Sequence, residues 1–110
     1  MQLNMFFHST VYRLADQIAY ADGSVVSKIV SKKETGNITL FSFDQGQGLS
    51  EHTAPFDAFI QILDGTATVT IDNKTYTLNT NEAITMPAGV PHSLYAGVKF
   101  KMLLTMIRSN

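Results

Sequence analysis

The segment from Thr66 to Ile71 alternates strictly between threonine and an apolar residue. Successive side chains of a β-strand point to opposite faces, so this pattern predicts a strand with one buried face. Asp72-Asn73 is a tight-turn signal, and residues 74–78 supply the return strand of a hairpin. The sequence therefore predicts an antiparallel hairpin with one side against a core.

The rest of the chain from Gly23 onward has the same character. Runs rich in β-branched and aromatic residues are separated by turn residues, at positions 25–30, 38–43, 56–63, 82–86, 91–95 and 98–107. Only residues 13–21, where Leu14 and Ile18 lie four apart, suggest one or two turns of helix. Many short strands favour an all-β fold, either a closed antiparallel barrel or a jelly roll.

A length of 110 residues suits a single domain with one core. We expect an N-terminal extension, residues 1–22, packed on a barrel formed by residues 23–110. The net charge is −1 and the eight Lys and Arg residues are dispersed, which predicts no binding to nucleic acid or to an anionic membrane. The chain has no cysteine, which excludes disulfides, thiolate nucleophiles and iron–sulfur clusters. No basic leader or long apolar run is found, so we expect a cytoplasmic protein without a membrane span.

Gly46, His52 and Gly65 are spaced as in a known sequence motif. With these residues, the segment 46–65 resembles the first of the two motifs of the cupin family. That motif reads Gly, five residues, His-x-His, three or four residues, Glu, six residues, Gly. Matching residues stand at three of its places, namely Gly46, His52 and Gly65. Ala54 replaces the second His, and Ala58 replaces the Glu. Gly65 lies between two strand patterns, where we expect a turn with positive φ.

Residues 81–96 resemble the second motif, which reads Gly, five residues, Pro-x-Gly, two residues, His, three residues, Asn. Matching residues are Pro87, Gly89 and His92. Asn81 and Ala96 stand where the motif has Gly and Asn. The resemblance implies a cupin-type jelly-roll β-barrel in a single domain, preceded here by a short N-terminal helical turn.

Metal-bearing cupins take two His and a Glu from the first motif and one His from the second. The resemblance therefore implies that His52 and His92 face each other across the barrel interior from neighbouring strands. Two imidazoles would hold a divalent ion (Mn, Fe, Ni, Cu or Zn) weakly, with water completing the shell. In the alternative interpretation no metal is bound, and the pair bonds to each other, to water or to a ligand in the barrel mouth.

Two carboxylates near the first motif are candidate additional ligands. Glu51 points out of the barrel by strand alternation, which favours a solvated position or a subunit contact. Asp57 is one residue from the position of the missing Glu, and a bulge at Pro55 would turn it inward. The alternative for Asp57 is a role in a turn.

The expected pocket residues combine the two histidines with apolar neighbours: His52, His92, Phe56, Ala58, Ile60 and Met86. Three methionines at strand positions predict core filler or a soft pocket wall: Met86, Met102 and Met106. Residues 56–63 are apolar on both faces, which indicates contact with a second sheet or with a partner subunit, so we expect a homodimer.

Three functional classes agree with these features. The first is a binding module that holds a small molecule in the barrel pocket through His52 and His92. The alternative is a metal-dependent cupin enzyme of the dioxygenase or isomerase type with a reduced ligand set. The third is a structural domain with a residual pocket. The fold alone does not select among them, because one fold hosts many activities.

Overall fold

The computed structural model describes residues 6–108. In chain order the elements are a 3-10 turn (Leu14–Asp16), β1 (Val25–Lys33), β2 (Gly36–Phe43), β3 (Gly48–His52), β4 (Phe56–Ile71), β5 (Lys74–Asn79), β6 (Ala83–Met86), β7 (His92–Tyr95) and β8 (Phe100–Arg108). The all-β fold predicted from the sequence is confirmed. The predicted helical region shortens to the single 3-10 turn. In residues 6–108 no helix is long and apolar enough to cross a membrane.

The long strand β4 joins the two halves of a curled antiparallel sheet. Its residues 56–65 pair with β6 and β8, and its residues 66–71 pair with β5 and β7. The main path through the sheet runs β1-β2-β8-β4-β7-β3. We call β1, β2, β6, β8 and residues 56–65 the major half, and β3, β5, β7 and residues 66–71 the minor half. The two halves curl toward each other and enclose the core.

Gly65 bends β4 where the strand passes from one half to the other. Its φ is +79°, and the pairing register with β8 shifts between Ile62 and Asp64. A Cβ atom at this position would collide with the Lys99 carbonyl oxygen and lie 3.0 Å from Phe100 Cα. The expected positive φ is present, but the expected turn is wrong, because β4 continues through Gly65 as a bulged strand.

The bulge also changes which residues of β4 point inward. Before Gly65 the buried positions are even-numbered (Ala58, Ile60 and Ile62), and after it they are odd-numbered (Ala67 and Val69). One additional residue in a strand has this effect, because side chains alternate with a period of two. Both parts of the strand therefore bury an apolar face in the same core.

Aromatic residues of β2 and β8 fill the base of the core. Phe43 and Phe100 are fully buried, and their rings stack with centroids 4.5 Å apart. In the minor half, the predicted hairpin at Asp72-Asn73 is present and joins β4 to β5. Both turn residues have positive φ, +49° and +66°, as a tight two-residue hairpin turn requires.

The segment before β1 contacts the outer face of the major half. The Ser42 hydroxyl donates to the Ala19 carbonyl at 2.8 Å, and the Lys101 ammonium donates to the Ala15 carbonyl at 2.6 Å. Ile18 of the same segment is buried. These contacts hold the segment on β2 and β8.

Candidate functional site

The two motif histidines are cross-strand partners. His52 ends β3 and His92 begins β7, and the pairing of these strands sets the two residues opposite each other. Their ring centroids are 4.4 Å apart, and the ring planes make an angle of 66°. His92 is only 5% exposed, whereas His52 is exposed. The pair therefore spans the boundary between the interior and solvent.

Backbone carbonyls fix the tautomer of both imidazoles. Nδ1 of His52 lies 2.8 Å from the Ser50 carbonyl oxygen, and Nδ1 of His92 lies 3.0 Å from the Val90 carbonyl oxygen. A carbonyl oxygen can only accept, so each Nδ1 carries the proton and donates it. In the neutral ring this leaves Nε2 as an acceptor.

Because both imidazoles have the same tautomer, His52 and His92 each have Nε2 as an acceptor. Two Nε2 acceptors cannot bond to each other, so each requires a donor or a cation. Metal-binding histidines are oriented by this kind of bond from the second ring nitrogen. The motifs gave no indication of the tautomer, because every residue type provides a backbone carbonyl two residues before a histidine and only the local conformation decides whether it accepts.

A short loop, residues 87–91, places His92 and is held by the start of β4. The Ala88 N–H donates to Asp57 Oδ1 at 2.9 Å, and the N–H of the next residue donates to the Ala54 carbonyl at 2.8 Å. Asp57 is exposed on the outward face of β4, because alternation along this strand turns Ala58 inward. The bulge at Pro55 that would turn Asp57 inward does not occur, so the carboxylate serves the loop rather than the pocket.

The second candidate carboxylate also lies away from the pocket. Glu51 is exposed on β3 beside His52, and it does not line the cavity described next. Within residues 6–108 no group of three or more His, Cys, Asp or Glu residues could hold a metal ion.

A cavity of about 50 Å³ lies beside the histidine pair, between the two halves. Among the residues that the structure describes, only His52 and His92 line it with polar side chains. The other lining residues are alanine, leucine and methionine, namely Leu49, Ala54, Ala58, Met86, Leu94, Met102, Leu104 and Met106. The cavity thus has two imidazoles in walls that are otherwise apolar.

Four of the six residues expected in the pocket line this cavity, namely His52, His92, Ala58 and Met86. The other two do not. Ile60 is fully buried in the core, with 0% solvent exposure, and does not line the cavity. Phe56 lies at the start of β4, with the Arg108 guanidinium 5.9 Å from its ring centroid.

Two larger clefts open elsewhere on the surface. One, of about 290 Å³, lies at the end of the β1–β2 hairpin, and the other, of about 250 Å³, lies between residues 6–14 and β1. Neither is lined by His52 or His92. Size alone would favour them, but chemistry favours the smaller cavity, since it contains the paired imidazoles.

Ala58 is flanked on both sides by methionine. Its direct cross-strand partners are Met86 on β6 and Met106 on β8. All three residues line the cavity. This arrangement depends on the pairing of three strands that are distant in sequence, so no local pattern could reveal it.

Comparison with known proteins agrees with the fold and the motifs. The family model described as the cupin domain matches residues 39–107 of the chain, which is more than half of it. The chain belongs to the cupin superfamily. No curated protein matches this cupin.

Solved structures resemble this cupin over nearly its full length. A conserved protein of unknown function from Streptococcus pyogenes is 36% identical, with a TM-score of 0.90 and coverage of 96% of this chain and 92% of that one. A cupin superfamily protein from Desulfitobacterium hafniense is 27% identical, with a TM-score of 0.88 and 96% of each chain covered.

A similarity in fold alone extends to an enzyme. The salicylate 1,2-dioxygenase of Pseudoaminobacter salicylatoxidans is 16% identical, with a TM-score of 0.71 and coverage of 84% of this chain and 29% of that one.

The departures from the cupin motifs fall into two kinds. Asn81 replaces a glycine and has a positive φ of +73°, a region that glycine favours, and its N–H donates to the Ile62 carbonyl at 2.7 Å. Asparagine tolerates this region better than most residues. Ala54 and Ala58, by contrast, remove donor atoms. The residues of this cupin therefore support the barrel but do not supply the metal centre of three His and one Glu that the two motifs describe.

Proposed function

We propose that this cupin binds a small molecule at the mouth of its barrel, through a donor group that the ligand presents to His52 and His92. One observation carries the proposal: each Nδ1 atom is bonded to a backbone carbonyl, so both Nε2 atoms are acceptors. A ligand that offers a hydroxyl, an amine or another N–H group satisfies such a pair.

The cavity supports a ligand with a polar head and a small apolar part. Its volume is about 50 Å³, whereas a cavity needs only about 10–15 Å³ to hold one water molecule. The enclosed space thus accepts a group of few atoms against Ala54 and Ala58. The remainder of the ligand would lie at the exposed side of His52.

The same two acceptors would hold a divalent ion (Mn, Fe, Ni, Cu or Zn) weakly. Ala54 and Ala58 offer no donor atoms, so water would have to replace the ligands that the cupin motif has at these two positions, and a shell of water gains little over the free aqueous ion. A metal-dependent activity of the dioxygenase or isomerase type would need further ligands, and neither Asp57 nor Glu51 lines the cavity.

Nitrogen-15 NMR of the histidine side chains tests the proposal. The spectrum of the free protein should show protonated Nδ1 in His52 and His92. Titration with small primary alcohols and amines should then shift the Nε2 resonances of both residues. The methyl ethers of the same alcohols have similar size but no donor, so they should leave these resonances in place.

His8 provides the matched control. It is the third histidine of the chain and is exposed outside the cavity, so its resonances should not respond to the alcohols. Equal shifts in all three histidines, or equal responses to alcohols and ethers, would contradict a donor-specific site.

A further inference from the structure

We infer that the cavity is a copper(I) site, in which Met86 and Met106 add thioether sulfur to the Nε2 atoms of His52 and His92. The inference rests on the proposed function in one respect, the orientation of the two imidazoles. The inference goes beyond the proposed function because it names a metal and two further ligands.

The position of the missing carboxylate carries the argument. Ala58 has Met86 and Met106 as its direct partners on the two neighbouring strands, and all three line the cavity. Directly paired residues have Cβ atoms about 4.5–5.5 Å apart. The short Ala58 side chain leaves space between two long and flexible thioethers, which adapt readily to irregular space. Sulfur is therefore available on both sides of the place where a carboxylate is missing.

The chemistry of these donors selects the metal. Thioether sulfur is a soft ligand that suits copper(I), and imidazole binds copper as well as zinc, iron and nickel. Mn, Mg and Ca prefer oxygen ligands, which the lining side chains do not provide. Copper is the metal that both donor types favour. The chain has no cysteine, so no thiolate of this protein competes with the site.

The cavity also favours an ion of low charge. Its walls beyond the four donors are alanine and leucine together with Met102, and all four donors are neutral. The cost of moving an ion into such surroundings rises steeply with its charge. A monovalent ion therefore suits these neutral donors and apolar walls better than a divalent ion does. His52 is exposed at the mouth of the cavity, so the ion would enter the cavity from the solvent beside this residue.

The experiment is an anaerobic titration with copper(I) in competition with a chromophoric copper(I) chelator. We expect one ion per chain. X-ray absorption of the complex should show both nitrogen and sulfur neighbours of copper. Met86→Leu and Met106→Leu keep the side-chain volume, and each should weaken binding at least about tenfold, the scale on which even outer-shell changes affect metal sites.

Met102 supplies the comparison. It lines the same cavity but pairs with Ile62, farther along β4 than Ala58. Met102→Leu should therefore weaken binding less than the other two variants. An equal or larger loss at Met102 would overturn the assignment of ligands. Absence of sulfur from the absorption spectrum, or copper(I) binding no tighter than zinc binding, would overturn the inference itself.

The outcomes separate this inference from the proposed function. If the alcohols shift His52 and His92 but copper(I) does not bind, the inference fails and the proposed function stands. If copper(I) binds through sulfur and the alcohols have no effect, the small-molecule proposal fails and the metal site stands. Circular dichroism of each variant establishes that the fold is retained.

Discussion

The two motif histidines have the same local bond but different surroundings. Each imidazole donates from Nδ1 to the carbonyl two residues earlier, yet His92 is buried and His52 is exposed. Burial makes a lost polar contact costly, because a buried group left without a partner is not compensated by water. The two residues should therefore differ in their effect on stability while sharing one function.

Replacement of either histidine by alanine should leave the barrel folded. We expect His92→Ala to lower the free energy of unfolding by about 1–3 kcal/mol, since it leaves a void and removes the partner of the Val90 carbonyl. His52→Ala should cost less than about 0.5 kcal/mol, as is usual for an exposed side chain. Chemical denaturation at neutral pH measures both. A loss above about 3 kcal/mol in either variant would mean that the histidine is a structural core residue.

Asp44, in the turn after β2, connects this turn to the residues just before β1 through its charged side chain. Its carboxylate Oδ2 accepts a hydrogen bond from the Gly23 N–H at 2.7 Å. The pKa of Asp44 is lowered mainly by this bond, then by a backbone bond from Gln45 and by the charge of Lys99. A group with a lowered pKa in the folded state stabilises the fold above its unfolded pKa, about 3.9 for aspartate. That contribution is lost as the pH falls through the folded pKa.

Asp44→Asn should therefore affect stability in a pH-dependent way. At neutral pH the variant should melt at a lower temperature than the wild type. Below about pH 4 the difference should narrow, because the wild-type carboxyl becomes neutral as well. Thermal melts of both proteins across the acid range measure this. A difference that stays constant down to the lowest pH at which both proteins fold would contradict the role of the charge.

Strand β4 shows which features of an element could be predicted from the sequence. The alternation from Thr66 to Ile71 and the turn at Asp72-Asn73 are local signals, and the structure contains both. The positive φ of Gly65 was predicted too. The continuation of the strand was not, because a turn and a bulge both need a glycine of this conformation. The difference lies in the pairing of residues 64–65 with β8, which is not a local property.

The candidate site also has features that the sequence predicted and features that it could not predict. The motif spacing predicted that His52 and His92 would lie on neighbouring strands, and they are direct partners. The flanking of Ala58 by two methionines could not be predicted, because it requires the register of β4 with both β6 and β8. The role of Asp57 in holding the loop of residues 87–91 likewise depends on a contact between distant segments.

Gly65→Ala should be strongly destabilising, and Gly23→Ala provides the matched control. Both glycines have positive φ, at +79° and +62°. A Cβ atom at Gly23 would meet nothing within 4 Å, whereas one at Gly65 would collide with the Lys99 carbonyl. We expect a loss of about 1 kcal/mol at Gly23 from backbone conformation alone, and more than about 3 kcal/mol at Gly65. Equal losses in denaturant titrations would show that close packing against Lys99 does not matter.

Among residues 6–108, the segment before β1 covers the outer face of the major half at one end only. Ser42 and Lys101 point outward there and bond to the segment before β1. At the other end, Phe59 is 38% exposed and Ile107 is 61% exposed. Thr105 on β8 is the cross-strand partner of both Phe59 on β4 and Ile38 on β2. It is two residues from Ile107, so both side chains are on the same face of β8. We call Ile38, Phe59, Thr105 and Ile107 the outer patch.

The outer patch changes the reason for expecting a homodimer. The sequence suggested that residues 56–63 are apolar on both faces, but the structure corrects this. Asp57 and Gln61 share the outward face with Phe59, so the strand by itself is not uniformly apolar. The apolar surface arises instead from three adjacent strands. The homodimer and the cytoplasmic location both stay predictions.

We predict that the outer patch is the contact between two copies of this chain. Its side chains are apolar or uncharged, and the net charge of −1 gives little repulsion between copies. A stable interface buries about 800 Å² on each partner, so neighbouring residues of β2, β4 and β8 would also take part. Analytical ultracentrifugation at micromolar concentration should show a dimer for the wild type and a monomer for Phe59→Lys. The control is Val98→Lys, which places the same charge at an exposed valine outside the patch and should remain dimeric. A wild type that sediments only as a monomer would contradict the homodimer, and dissociation of both variants would contradict the assignment to this patch.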